Sequence, residues 1–184
     1  MRDISLHLSD IVQNSIAAGA SLVDIGFTLD EQRVLTVTVR DDGCGMSGEL
    51  LKRVQSPFTT TRSTRKVGLG IPLLTQNAQL SGGNVRIDST PGAGTTIQAS
   101  FHTDSIDCLP VGDLAETMAT LVLSNPDKPD FCLTCTSPEG EMQFSTEEIR
   151  EALGGVSLAE PEVYQWILSS LREEIEPILG GIMK

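Results

Sequence analysis

Two consecutive segments constrain the fold more than any other feature of the chain. Val23, Ile25, Phe27 and Leu29 alternate with small or polar residues, and after Asp30-Glu31-Gln32 the alternation resumes at Leu35, Val37 and Val39. Successive side chains of a strand point to opposite faces, so the pattern predicts a β-hairpin with one apolar and one polar face. The apolar face has to be covered, and the preceding residues supply a cover. Ile4, Leu8, Ile11, Val12 and Ile16 recur at helical spacing and predict an amphipathic helix that ends near Gly19.

The second strand runs into Asp41-Asp42-Gly43-Cys44-Gly45, a loop of tight backbone geometry, and Ser47 is placed to cap a short helix over residues 48–54. From Gln55 to Val67 the sequence loses periodicity and is rich in Thr and Arg, which predicts a surface loop. After Gly68-Leu69-Gly70, a helix through Pro72, Leu73, Leu74, Ala78 and Leu80 ends at Gly82-Gly83. Val85 and Ile87 predict a strand, Pro91 to Gly94 a turn, and Thr96 to Phe101 a returning strand. Helix, hairpin, helix, loop, helix and hairpin make an α+β sandwich, a mixed sheet covered on one face by helices. Beyond it, helices over 114–123, 146–153 and 161–179 and strands over 131–136 and 142–144 predict a smaller α/β unit.

Charge divides the chain near residue 104. The 184 residues carry a net charge of -12, yet residues 1–103 hold nine basic and nine acidic side chains, so the whole excess lies in residues 104–184. The division predicts a neutral domain over 1–103 and an acidic unit over 104–184. So acidic a chain is a poor binder of nucleic acid or an anionic membrane, because phosphate backbones are held by Lys and Arg. The 39% of apolar residues exclude disorder for most of the length. No signal-peptide pattern opens the chain and no apolar run approaches the roughly 20 residues that span a bilayer. A soluble cytoplasmic protein is expected. Cys44, Cys108, Cys132 and Cys135 are too scattered for a secreted disulfide framework. Cys132 and Cys135 fall on a predicted strand, where residues three apart face opposite ways, so a structural role is the simpler reading than a shared metal or a redox pair.

Four short motifs follow in order, each with a chemical and a bland reading. Asp10 and Asn14 stand four apart on the first helix and share a face. The carboxylate can orient a water or a hydroxyl and the amide oxygen can ligate Mg²⁺, but any surface helix gives the same pattern. Asp41-x-Gly43-x-Gly45 puts at a strand end a carboxylate able to accept from the exocyclic amine of adenine, with glycines that let the backbone approach a flat ligand. It also reads as an ordinary turn. Gly68-Leu69-Gly70 at a helix start offers free N–H groups and the positive end of a helix dipole to phosphate. Gly92-x-Gly94-Thr95-Thr96 reads by itself as a hairpin turn.

Order and spacing together are more specific than any member. Over about residues 4–102 the set resembles the GHKL, or Bergerat-fold, ATP-binding domain of DNA gyrase, heat-shock chaperone ATPases, sensor histidine kinases and MutL-type repair proteins. Asp10 to Ala20 followed by Asp41 to Gly45 looks like the MutL and gyrase pattern, while Pro57 to Thr61 and then Gly68 to Gly94 looks more like a histidine kinase catalytic domain. The resemblance implies a general base at Asp10, Mg²⁺ on Asn14, the adenine amine on Asp41 with Gly43 and Gly45 beside it, and phosphates on Gly68, Leu69 and Gly70. It also implies a lid carrying Arg62, Arg65 and Lys66, with Thr61 and Thr96 completing the nucleotide-binding set.

Several departures bear on activity. Asp10 stands where hydrolases of the family usually have Glu, and Ala17 where gyrase-like and MutL-like members place an acid. Only 22 residues separate Gly45 from Gly68, which leaves a short lid, so slow hydrolysis is expected. A histidine kinase needs a phosphoacceptor hairpin ahead of a domain that here starts at Met1. His7 reads as an ordinary, partly exposed histidine on the polar face of Asp10, and His102 receives no role. The expectation is a stand-alone ATP- and Mg²⁺-binding module that regulates a partner protein through its nucleotide state, with weak or no hydrolysis. The alternatives are a protein kinase resembling anti-sigma-factor serine kinases or histidine kinase catalytic domains, and a plain ATPase. The overall pattern also resembles short ATP-binding proteins encoded beside iron-only hydrogenase or NADH-linked redox complexes. That likeness implies a regulator or redox complex as partner; a homodimer is left open. The stripe Val163, Trp166, Ile167, Leu171, Ile175 and Ile178 is expected to pack on the domain rather than bind a partner.

Overall fold

A computed structural model describes residues 2–55 and 70–183. Thr61, Arg62, Lys66, Gly68 and Leu69, with the remainder of the expected lid, lie outside the described residues. The chain runs α1 (Ile4–Ala17), β1 (Leu22–Leu29), β2 (Val34–Asp41), α2 (Gly48–Gln55), α3 (Gly70–Leu80), β3 (Val85–Thr90) and β4 (Gly94–His102). It continues with α4 (Leu114–Ser124), β5 (Asp130–Ser137), β6 (Gly140–Ser145), α5 (Thr146–Leu153) and α6 (Pro161–Leu179). Local chemistry sets the ends. Asp3 caps α1 by accepting from the Leu6 N–H at 2.8 Å, Ser47 accepts from the Leu50 N–H at 3.3 Å ahead of α2, and Gly154 ends α5 in the left-handed conformation.

The six strands form one mixed sheet in the order β3-β4-β2-β1-β5-β6. β1 and β2 pair antiparallel with Ile25 opposite Val39 and Phe27 opposite Val37, as the alternation requires. The other edge of β1 takes β5 in parallel, with Val23 opposite Phe131 and Ile25 opposite Leu133. The expected boundary near residue 104 therefore falls between β4 and α4, and strands from its two sides hydrogen-bond directly. A single buried cluster also spans it, joining Leu8, Phe27 and Phe101 to Met118, Leu133 and Leu171. The first turn of α1 is tied to the same region, since the Ile4 and Ser5 N–H groups donate to the Pro110 and Val111 carbonyls at 3.0 and 2.9 Å.

α6 buries Val163, Ile167, Leu171, Ile175 and Ile178, each such side chain contributing about 1.5–3 kcal/mol. Trp166 departs from the expected stripe and is 56% exposed. On β5, Cys135 faces the core and Cys132 the outer side, and burial pushes the Cys135 thiol up to about 12. All four cysteines are free, and no cluster of metal-ligating side chains occurs among the described residues. Nor is any described helix long and apolar enough to cross a membrane.

Candidate functional site

The end of β2 delivers Asp41 to the floor of a cavity of about 180 Å³ between α1, α2, α3 and β4. Its walls are apolar: Ile11 from α1, Met46, Leu50 and Val54 from α2 and the loop before it, Ile71 from α3 and Ile97 from β4. Asp41 is only 8% exposed, and a buried carboxylate requires donors. The structure supplies three. Oδ1 accepts the Gly43 and Thr95 N–H groups at 3.0 and 3.2 Å, and Oδ2 accepts the Ser15 hydroxyl at 2.6 Å. A carboxylate has about four acceptor positions, so one on Oδ2 stays available to a donor inside the cavity.

The loop after Asp41 is held by its neighbours on three sides. The Cys44 N–H donates to the Ala18 carbonyl at 2.9 Å, the Cys44 carbonyl accepts from the Gly92 N–H at 2.8 Å, and the Met46 N–H donates to Ser89 Oγ at 2.8 Å. The glycines serve this closeness. Gly45 has φ +64°, and a Cβ there would lie 2.0 Å from the Thr90 carbonyl oxygen; a Cβ on Gly43 would lie 2.9 Å from Ala18 Cβ. The Gly92 to Thr95 turn is thereby part of the site, because it anchors the loop that carries Asp41. The adjacent Asp42 faces away and accepts from the Ser21 hydroxyl and from the Ser21 and Leu22 N–H groups, bonds that hold its carboxyl below the usual range.

The other expected residues are distributed as follows. Asn14 is exposed on α1 at the mouth of the cavity. Asp10 lies one turn earlier, exposed and outside the cavity lining, beside the start of α3: a Cβ on Gly70 would sit 3.1 Å from Asp10 Oδ2. Asn14, Asp41 and Gly45 thus line one cavity, Gly43 adjoins it through its bond to Asp41, and Gly70 stands outside the lining beside Asp10, next to Ile71. Thr96 is not brought in. It pairs with Arg40 and Asp88 on the outer face of the sheet, and Thr95 enters the cavity in its place. Ser15 had no motif to mark it, although it stands four residues after Ile11 and shares its inward face, whereas Thr95 belongs to the Gly92-x-Gly94-Thr95-Thr96 motif, which by itself reads as a hairpin turn.

His7 corrects an expectation. It is not on the exposed face of Asp10 but 1% exposed between α1 and α3, with Nε2 2.8 Å from Asn77 Nδ2. The amide donates and the ring accepts, and Nδ1 is buried without a partner. Burial pushes the His7 pKa down, against the pull of Asp10 and Asp3 upward.

Comparison with known proteins identifies the family of the chain. Residues 2–105 match the family described as histidine kinase-, DNA gyrase B- and HSP90-like ATPase. The chain belongs to that family and is a GHKL ATP-binding module. It is 33% identical to sporulation kinase A of Bacillus subtilis over 101 residues, which cover 55% of this chain and 16% of that protein. It is 41% identical to the histidine protein kinase DivJ of Caulobacter vibrioides over 68 residues, 35% of this chain and 11% of that one. The chain thus spans less than a fifth of the length of these relatives. Among solved structures, the N-terminal domain of a DNA repair protein superposes with a TM-score of 0.53 over 79% of this chain and 52% of its own, at 14% identity, a likeness of fold.

Proposed function

We propose that the chain is a cytoplasmic ATP- and Mg²⁺-binding regulatory module whose nucleotide state is read by a partner protein, with slow hydrolysis of its own. The observation that carries this reading is the unused acceptor of Asp41 in an apolar cavity, a setting suited to the flat, apolar adenine ring and its exocyclic amine. Asn14 at the mouth would offer one oxygen to Mg²⁺. That suffices for an ion that keeps waters and takes its other ligands from phosphates. The N-terminus of α3 at Gly70 would face those phosphates. The bound nucleotide supplies a γ-phosphoryl group that can be hydrolysed or transferred.

Slow hydrolysis follows from Asp10. Its carboxylate is exposed, so a water beside it exchanges with bulk solvent rather than being held for attack. The same exposure favours protein kinase activity as the second reading, because an open carboxylate is accessible to a hydroxyl of a docked protein. Incubation with γ-labelled ATP and a native extract tests both. Binding without rapid phosphate release supports the regulatory module, label on a protein supports the kinase, and rapid release of free phosphate rejects both in favour of an ATPase.

A further inference from the structure

A second apolar cavity shares no lining residue with the one around Asp41. It lies between α5 and α6, has a volume of about 470 Å³, and is lined by Ile149, Ala152, Leu153, Val163 and Trp166 with Glu148 and Glu162 at its rim. It falls outside residues 2–105, which match the family, so the nucleotide chemistry does not account for it. Two features distinguish it from a packing defect. Trp166 is 56% exposed at its edge although α6 has a buried face to offer, and Val156, in the loop joining the two helices, is 48% exposed. Exposed tryptophan beside an apolar pocket is characteristic of binding surfaces, where it becomes a main anchor once covered.

Charge identifies the occupant. Glu148 and Glu162 line the cleft, Glu147, Glu151 and Glu160 are exposed nearby in sequence, and there is no Lys or Arg between Arg150 and Arg172. Neither arginine offsets them. Arg150 is turned inward onto Asp130, and Arg172 pairs with Asp113 at 2.7 Å. A groove between two helices accepts a third helix along its apolar floor, and a rim of glutamates selects Lys and Arg on that helix. We propose that the α5–α6 cleft is a docking site for a basic amphipathic helix of a partner protein, anchored on Trp166 and oriented by Glu148 and Glu162.

Trp166 is the single tryptophan of the chain and reports occupancy directly. The full chain, without nucleotide, is titrated with a synthetic amphipathic Leu/Lys helical peptide and, separately, with a Leu/Glu peptide of equal length and apolar face. The Leu/Lys peptide should shift Trp166 emission to the blue and bind at least about tenfold tighter than its acidic counterpart, with affinity falling as salt rises. Reversing the rim charges with Glu148→Lys and Glu162→Lys should weaken that binding by about tenfold or more, whereas Glu139→Lys and Glu141→Lys, an equal charge change on the β5–β6 hairpin, should not. Equal binding of both peptides overturns the proposal, as does equal weakening by the hairpin pair, which would mean attraction to net charge alone. A blue shift on raising protein concentration without peptide, with dimers in sedimentation, also overturns it by making a second copy the occupant. No arm uses the cavity around Asp41, so its outcome is separate from that of the nucleotide reading.

Discussion

Replacing Asp41 by Asn keeps the shape of the side chain and changes one atom. The amide oxygen takes the position that accepts the Gly43 and Thr95 N–H groups at 3.0 and 3.2 Å, because an NH₂ there would face two donors. Nδ2 then occupies the place of Oδ2. Ser15, whose hydroxyl lies 2.6 Å from Oδ2 and 3.4 Å from the Ile11 carbonyl, can turn its proton to that carbonyl and accept from the new amide. The fold thus loses the extra strength of charged hydrogen bonds, about 1–2 kcal/mol, and the melting temperature should fall by about 2–8 °C with native circular dichroism. Inside the cavity the consequence is larger. The free acceptor becomes a donor aimed at the amine of adenine, so a charged hydrogen bond is lost and two donors face each other. We expect a loss of about 2–4 kcal/mol, or about 30- to 1,000-fold in ATP affinity by calorimetric titration. Affinity within about threefold of the unaltered chain, in a variant with native circular dichroism, would refute the assignment of adenine to Asp41.

Asn14→Ala should weaken ATP binding about tenfold in Mg²⁺ and leave it unchanged in a chelator; equal affinity of both proteins in Mg²⁺ would remove the ion from Asn14. His7 predicts an acid-sensitive fold: its pKa is lowered in the native state, so the unfolded chain binds the extra proton and stability falls as pH drops from about 6.5 toward the depressed native value. In chemical denaturation the His7→Gln variant should lose that slope, and an unchanged slope would show that His7 does not cause it. A fragment ending at residue 105 would leave β1 without β5 and uncover Val23, Ile25 and Phe27, which are 0–2% exposed in the whole chain. It should show no cooperative thermal transition, and a sharp one with full ATP affinity would refute the dependence.

Much of this was legible because it rests on short-range signals. The helical spacing of Ile4, Leu8 and Ile11, the alternation through β1 and β2, and the turn residues around Gly92 each determine a local element, and all of those elements are present. Asp41 was legible as a candidate site through the order and spacing of its motif among the others, because alone that motif reads as an ordinary turn. What sequence alone left open depends on register and packing. Thr95 and Thr96 are equivalent in composition, and only the pairing of Asp41 with Thr95 decides which of them enters the cavity. His7 stands three residues before Asp10, a spacing that predicts a shared face, but the angle between positions three apart on a helix is wide enough for α3 to cover one and leave the other in water. The parallel pairing of β1 with β5 links residues more than 100 apart and has no local signature.

That pairing also determines what the acidic excess means in space. Residues 104–184 carry the whole net charge of -12 but supply β5 and β6 to the same sheet as β2, so a boundary along the sequence is not a boundary in space. β6 lies three strands from β2, about 14 Å at the usual spacing between strands. Surface charges in physiological salt are screened over about 8 Å, so the glutamates of β6 and α5 are too distant to oppose a triphosphate near Asn14. Their field acts instead where they are, over the α5–α6 cleft and whatever approaches it. The acidic cleft and the cavity around Asp41 can therefore share one sheet and one core, because the glutamates of β6, α5 and the start of α6 stand at the β6 edge while that cavity opens beside β2 and β4.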